Sequence, residues 1–162
     1  MAVHIHPLDI PSRYYKPIGQ ITVYWNLTEV LVSSIIWHIH KIKAPNVGRL
    51  FTYRLNSVER LKVLKVSIDR VSDASIRDEL TGLQKEADKL RGLRNTIIHG
   101  LWGRMPKERR TWKVFYLKDT DDTIKLRREV MTVEQLSDIA ARGKALNVKL
   151  KKVMTRLGVP PP

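Results

Sequence analysis

Apolar residues recur at every third or fourth position over most of this chain, and the period changes once. Tyr24, Leu27, Leu31, Ile35, Ile39 and Ile42 mark one such stripe, and Val58, Leu61, Leu64, Ile68 and Val71 a second. A third runs from Ile76 to Leu101, the longest periodic element, and a fourth joins Leu136, Ile139, Gly143, Leu146, Leu150, Val153 and Leu157. This spacing buries one face of an α-helix. Ser57 stands where the second helix needs an N-cap. Ser72, Asp73 and Ser75 precede the third, with Ser75-Ile76-Arg77-Asp78 as a loose capping box. Thr132-Val133-Glu134-Gln135 opens the fourth as a full capping box. Between the third and fourth helices, Trp112, Val114 and Tyr116 alternate with Lys113 and Phe115. After Asp119-Thr120-Asp121-Asp122 the alternation resumes through Ile124, Leu126, Arg128 and Val130, the pattern of a β-hairpin. The expected fold is mainly α: an antiparallel four-helix bundle with an inserted β-hairpin before the last helix. Its helices lie near 18–43, 57–71, 74–102 and 132–157, and the hairpin near 111–129. A chain of 162 residues fits a single domain over 1–162, with an irregular, proline-bearing lead-in at 1–17 and a basic hairpin insertion at 107–131.

The first helix is apolar enough to raise the question of a membrane. Gln20, Thr22, Asn26, Thr28, Ser33, Ser34, His38 and His40 interrupt it, and no apolar run reaches the roughly 20 residues a bilayer requires. It reads as a core helix. The chain has no cysteine, which removes disulfides, thiolate metal sites and cysteine nucleophiles, and fits a reducing cytoplasm. The start shows no basic n-region and no apolar h-region, so no secretory signal is expected and a cytoplasmic protein is. Thirty Lys and Arg stand against sixteen Asp and Glu, a net charge of +14. So large an excess attracts polyanions, nucleic acid before all, and opposes self-association.

Chemistry concentrates in Leu93-Arg94-Asn95-Thr96-Ile97-Ile98-His99-Gly100. At about 100° per residue, Leu83, Leu90, Leu93, Ile97 and Leu101 share an arc, and Arg94 falls within it. A guanidinium among leucines must be paired or face an anion. Asn95 and His99 lie one turn apart on another face, in line with Asp88 and Gly92. His99 is turned from Arg94 by about 140°. Arg94 can be read as a structural partner of Glu29 or Asp88, and His99 as a cation favoured by the helix C-terminus. Both can equally be read as a phosphate-directed pair. His38-x-His40 points its rings to opposite sides of a helix, and no third His stands near His4-x-His6, so no metal site is expected.

Arg94-Asn95-x-x-x-His99, near the end of the third of four helices, resembles the signature of HEPN domains, small all-α proteins whose motif is Arg, a polar residue, then His. The resemblance covers residues 18–104 and 132–157. It implies a homodimer that brings two motifs together, no cofactor, and one of two functions. Active members are metal-independent endoribonucleases; others bind RNA or serve as non-catalytic adaptors. On this resemblance the catalytic residues are Arg94, Asn95 and His99, with Glu29 of the first helix in support, and a toxin or defence role follows from the family. Toxin members carry a Tyr two residues after the His, and here that position is Leu101. The residue types suit the chemistry, since imidazole moves protons near neutral pH and arginine presents a fork of donors to phosphate oxygens.

The basic residues cluster as well. From Arg104 to Arg128 nine Lys or Arg face four acids, interleaved with Trp112, Phe115 and Tyr116. Arg109, Arg110, Lys113, Arg127 and Arg128 are the expected RNA-binding residues, with the aromatic rings as stacking surfaces or as packing against the helices. Lys149, Lys151 and Lys152 of the last helix join them if that helix lies on the same side.

Overall fold

The computed structural model describes residues 10–42, 47, 48, 50, 52, 54–103, 112–120 and 123–160, the stretches 117–120 and 123–125 as backbone alone. Within these residues the chain is mainly helical, with four helices and a small antiparallel sheet. A 3-10 turn at Ser12–Tyr14 leads into α1 (Tyr15–Ile39); α2 (Ser57–Ile68) and α3 (Ala74–His99) follow. Then come β1 (Leu101–Gly103), β2 (Lys113–Thr120) and β3 (Thr123–Val130), and finally α4 (Val133–Leu157).

The helix starts follow from side-chain caps. The α2 cap is Asn56, not Ser57: the Asn56 side chain accepts from the N–H groups of Val58 and Glu59, while Glu59 accepts from the Asn56 N–H. For α3 the cap is Asp73, which accepts from the Ile76 N–H at 3.0 Å, in place of the looser box expected at Ser75. The box expected at α4 is formed, Thr132 and Gln135 each receiving the other's backbone N–H. The lead-in ends earlier than expected. Pro17 sits in the first turn of α1, where a missing N–H costs no intrahelical bond.

The contacts divide the chain into two compact units, Met1–Thr22 with Gly92–Ala141, and Val23–Arg91 with Arg142–Pro162. Helices α1, α3 and α4 contribute to both. In the second unit Leu31, Ile35, Ile36, Leu64, Leu80, Leu146, Leu150 and Val153 are almost completely buried. Each such side chain stabilises by about 1.5–3 kcal/mol relative to exposure. The polar residues of α1 are satisfied locally, the Ser33 and Ser34 hydroxyls donating to the carbonyls of Glu29 and Val30. Thr28 also donates to Asn147 Oδ1 at 2.7 Å, and Asn147 Nδ2 donates to the Tyr24 carbonyl at 2.8 Å. This buried network joins α1 to α4 in one register, because any slip leaves polar groups unpaired. Among the described residues no helix is long and apolar enough to cross a membrane.

The first unit is built on aromatics and the sheet. Strand order is β1-β2-β3, both pairs antiparallel. Leu101 pairs with Phe115 and Trp102 with Val114, while Phe115 pairs on its other side with Arg128 and Tyr116 with Arg127. The expected hairpin is present, but the expected end of the third helix is not. The chain leaves the helix at His99 and runs at once into β1. Gly100 allows that turn through space rather than through φ: a Cβ there would collide with Val114 and with the Thr96 carbonyl. Tyr14 packs edge-on against Trp102, ring centroids 5.8 Å apart, and lies 6.4 Å from Trp112. The Trp102 indole donates to the Ile97 carbonyl at 2.9 Å.

Candidate functional site

Position 94 is the last full turn but one of α3, in the first unit. Leu90 and Ile97, on the expected core arc, are buried, whereas Leu101 has left the helix and is 54% exposed. Arg94 itself is half-buried. Among the described residues its Nε has no hydrogen-bond partner, while Nη1 donates to Asn95 Oδ1 at 3.1 Å and lies 2.9 Å from His99 Nε2. A guanidinium carries donors only, so the imidazole nitrogen is the acceptor in that contact. The angular separation of about 140° between the two positions made a meeting within one chain unexpected. The arginine side chain is long enough to close the gap. Arg94, Asn95 and His99 therefore converge in a single copy, and the divergence of Arg94 from His99 is no reason for a second one.

Glu29 does not serve Arg94. Its carboxylate lies 3.0 Å from Arg60 Nη1 and accepts a short hydrogen bond from the Ser57 hydroxyl, so that α1 is tied to the start of α2. Arg60 also donates to the carbonyls of Thr52 and Leu55, at 3.2 and 3.1 Å. Asp88, the other acid considered for Arg94, pairs with Arg91 at 2.9 Å. Among the described residues Arg94 has no carboxylate partner. Its two hydrogen-bond partners among these residues, an amide oxygen and a ring nitrogen, bring no countercharge.

The expected RNA-binding residues separate into three groups. Arg109 and Arg110 lie outside the described residues. Lys113, on the strand between β1 and β3, is only 7% exposed. Arg127 and Arg128 are exposed, within a run from Leu126 to Val130 in which every residue is exposed. Of the two readings of the aromatic rings, burial rather than an open stacking surface is found for two. Trp112 and Phe115 are buried at 4% and 5%. Tyr116 is half-buried and its hydroxyl donates a short hydrogen bond to Glu129. That bond, followed by partial burial and the Glu129 charge, pushes its phenol above the ordinary 10.0.

In the second unit, Asp78, Glu79, Glu86, Arg142, Lys149 and Lys152 line a groove of about 590 Å³ along α3 and α4. Arg142 lies 2.8 Å from Glu86, and Arg156 donates to Glu79. Lys149 and Lys152 thus face carboxylates, which weakens them as a phosphate track.

Three features escaped sequence reasoning: strand β1, the Arg60 and Ser57 partners of Glu29, and the Arg94–His99 contact. Only the first carried a local signal, Gly100 directly after His99. Comparison of the chain with protein-family models, with curated proteins and with solved structures gave no match.

Proposed function

We propose that this protein is a HEPN-type, metal-independent endoribonuclease of single-stranded RNA, its four helices forming an antiparallel bundle and two copies pairing in the cytoplasm. The observation that supports it best is Arg94: half-buried, held by Asn95 and His99, and without a carboxylate among the described residues. A cation so placed suits a phosphodiester anion.

In this reading Arg94 binds the scissile phosphate and offsets the charge that grows on its oxygens. Asn95 positions the guanidinium. His99 transfers the proton as the ribose 2′-oxygen attacks phosphorus and the 5′-oxygen leaves, giving a 2′,3′-cyclic phosphate and a 5′-hydroxyl. A second copy supplies the second imidazole, so that one ring removes the 2′-OH proton and the other protonates the leaving oxygen. Arg127 and Arg128 hold the RNA backbone.

The test is cleavage of end-labelled single-stranded RNA in the presence of a chelator, with product ends identified. Cyclic ends from the wild type and none from His99→Ala are expected. RNA bound without cleavage leaves the non-catalytic adaptor reading in place. Cleavage that stops with chelator, or persists undiminished in His99→Ala, overturns the assignment.

A further inference from the structure

We infer that Arg94 holds the neutral ring of His99 in its Nδ1–H tautomer, with Nε2 masked and Nδ1–H turned to whatever ligand the site takes. The extension to a phosphodiester ligand rests on the ribonuclease reading; the tautomer itself does not. The contact between Arg94 Nη1 and His99 Nε2 is 2.9 Å, a full hydrogen bond. Arginine stays protonated and has no acceptor, so Nε2 must offer its lone pair, and the ring proton of neutral imidazole then resides on Nδ1. Among the described residues Nδ1 has no hydrogen-bond partner, and His99 is exposed.

Asn95 makes the arrangement stiffer. Nη1 has two hydrogens; one goes to Asn95 Oδ1 at 3.1 Å and the other to His99 Nε2. The guanidinium is pinned from its own helix and cannot swing freely away from the ring. Arg94 is thus a positioning residue for His99 as well as an anion ligand.

A functional consequence follows. While Nη1 is on Nε2, that nitrogen cannot take a proton, and His99 faces a phosphate oxygen only as a hydrogen-bond donor through Nδ1–H. When a phosphate oxygen replaces Nε2 as the acceptor of Nη1, the Nε2 lone pair is released and can accept a proton. Anion capture by Arg94 and unmasking of the base are then one exchange of hydrogen bonds.

The tautomer is read by long-range nitrogen–proton NMR of the five histidines in alkaline buffer, the His99 signals being identified by their loss in His99→Gln. Wild-type protein should show His99 Nδ1 in the protonated, pyrrole-type range and Nε2 in the unprotonated, pyridine-type range. Arg94→Met should return the ring to the Nε2–H form that free histidine side chains prefer. Adding a non-cleavable phosphodiester to wild type should move the Nε2 signal. A wild-type His99 already in the Nε2–H form overturns the inference, whether or not Arg94→Met folds, and so does a tautomer unchanged in Arg94→Met. No RNA is cleaved in these measurements, so a silent ribonuclease assay and a wrong tautomer are separate results.

Discussion

Arg60 and Arg94 meet the same difficulty in the two units. Each is half-buried on a helix, and each has an Nε shut off from solvent without a hydrogen-bond partner among the described residues. Arg60 is answered by the Glu29 carboxylate and two backbone carbonyls, and its charge is neutralised where it stands. Arg94 is answered by an amide oxygen and an imidazole nitrogen, which satisfy hydrogens and leave the charge alone. Elsewhere in the second unit Glu86 holds Arg142 and Glu79 holds Arg156, whereas in the first Arg127 and Arg128 stand exposed on β3. A guanidinium closed by a carboxylate has its countercharge within the fold, whereas one without a countercharge is open to an anion.

Removing the carboxylate gives the strongest test. Glu29→Gln leaves Arg60 without its countercharge in a half-buried place and should cost about 2–4 kcal/mol in chemical denaturation. Arg94→Met, by contrast, should change stability by no more than about 1 kcal/mol, because no ion pair is broken. Equal losses in the two variants would erase the distinction.

The next effect probes what does hold the first unit together. Gly100→Ala pushes a methyl group into Val114 and the Thr96 carbonyl where α3 passes into β1. A loss of about 1–3 kcal/mol is expected, together with reduced activity, since His99 is the adjacent residue. Full stability in this variant would mean that the junction yields easily.

Charge on β3 should act on binding without acting on folding. The double variant Arg127→Gln/Arg128→Gln should flatten the dependence of log affinity on log salt for single-stranded RNA by roughly 1.4. Its thermal midpoint should match wild type. An unchanged slope would make these arginines a solvated surface only.

The smallest effect is one of pH. The Tyr116 phenol, hydrogen-bonded to Glu129, titrates above 10.0 in the folded chain. A neutral group whose folded value is raised contributes stability below its unfolded value, and loses it as pH rises through the folded one. Absorbance titration should therefore show Tyr116, identified by its loss in Tyr116→Phe, titrating above 10.0, and Glu129→Gln should bring it back down. A Tyr116 that titrates with the exposed tyrosines would show that the bond does not persist in solution.

Sequence periodicity made the four helices and the hairpin legible because burial of one face repeats with the local geometry, at 3.6 residues for a helix and two for a strand. The capping box at Thr132 was legible for the same reason, both partners lying within one turn. Strand β1 was not, since Leu101–Gly103 is too short for any period and owes its existence to pairing with β2. Lys113 and Phe115 read as parts of a basic, aromatic face, whereas on the middle strand of the sheet both are buried, which their local alternation does not encode.

The chain by itself determined the helical character, the position of the β-hairpin, the cationic excess and the grouping of Arg94, Asn95 and His99 on one stretch of helix. All of these are set by neighbours within a few residues or by counting. Which acid meets which base was decided only by the tertiary structure. Glu29 reaches Arg60 and Ser57, 31 and 28 positions away in sequence, and no local pattern encodes that choice. The contact between Arg94 and His99 belongs with it, though the two are only five residues apart. Backbone rotation alone turns them away from each other, and the reach and packing of one long side chain bring them together.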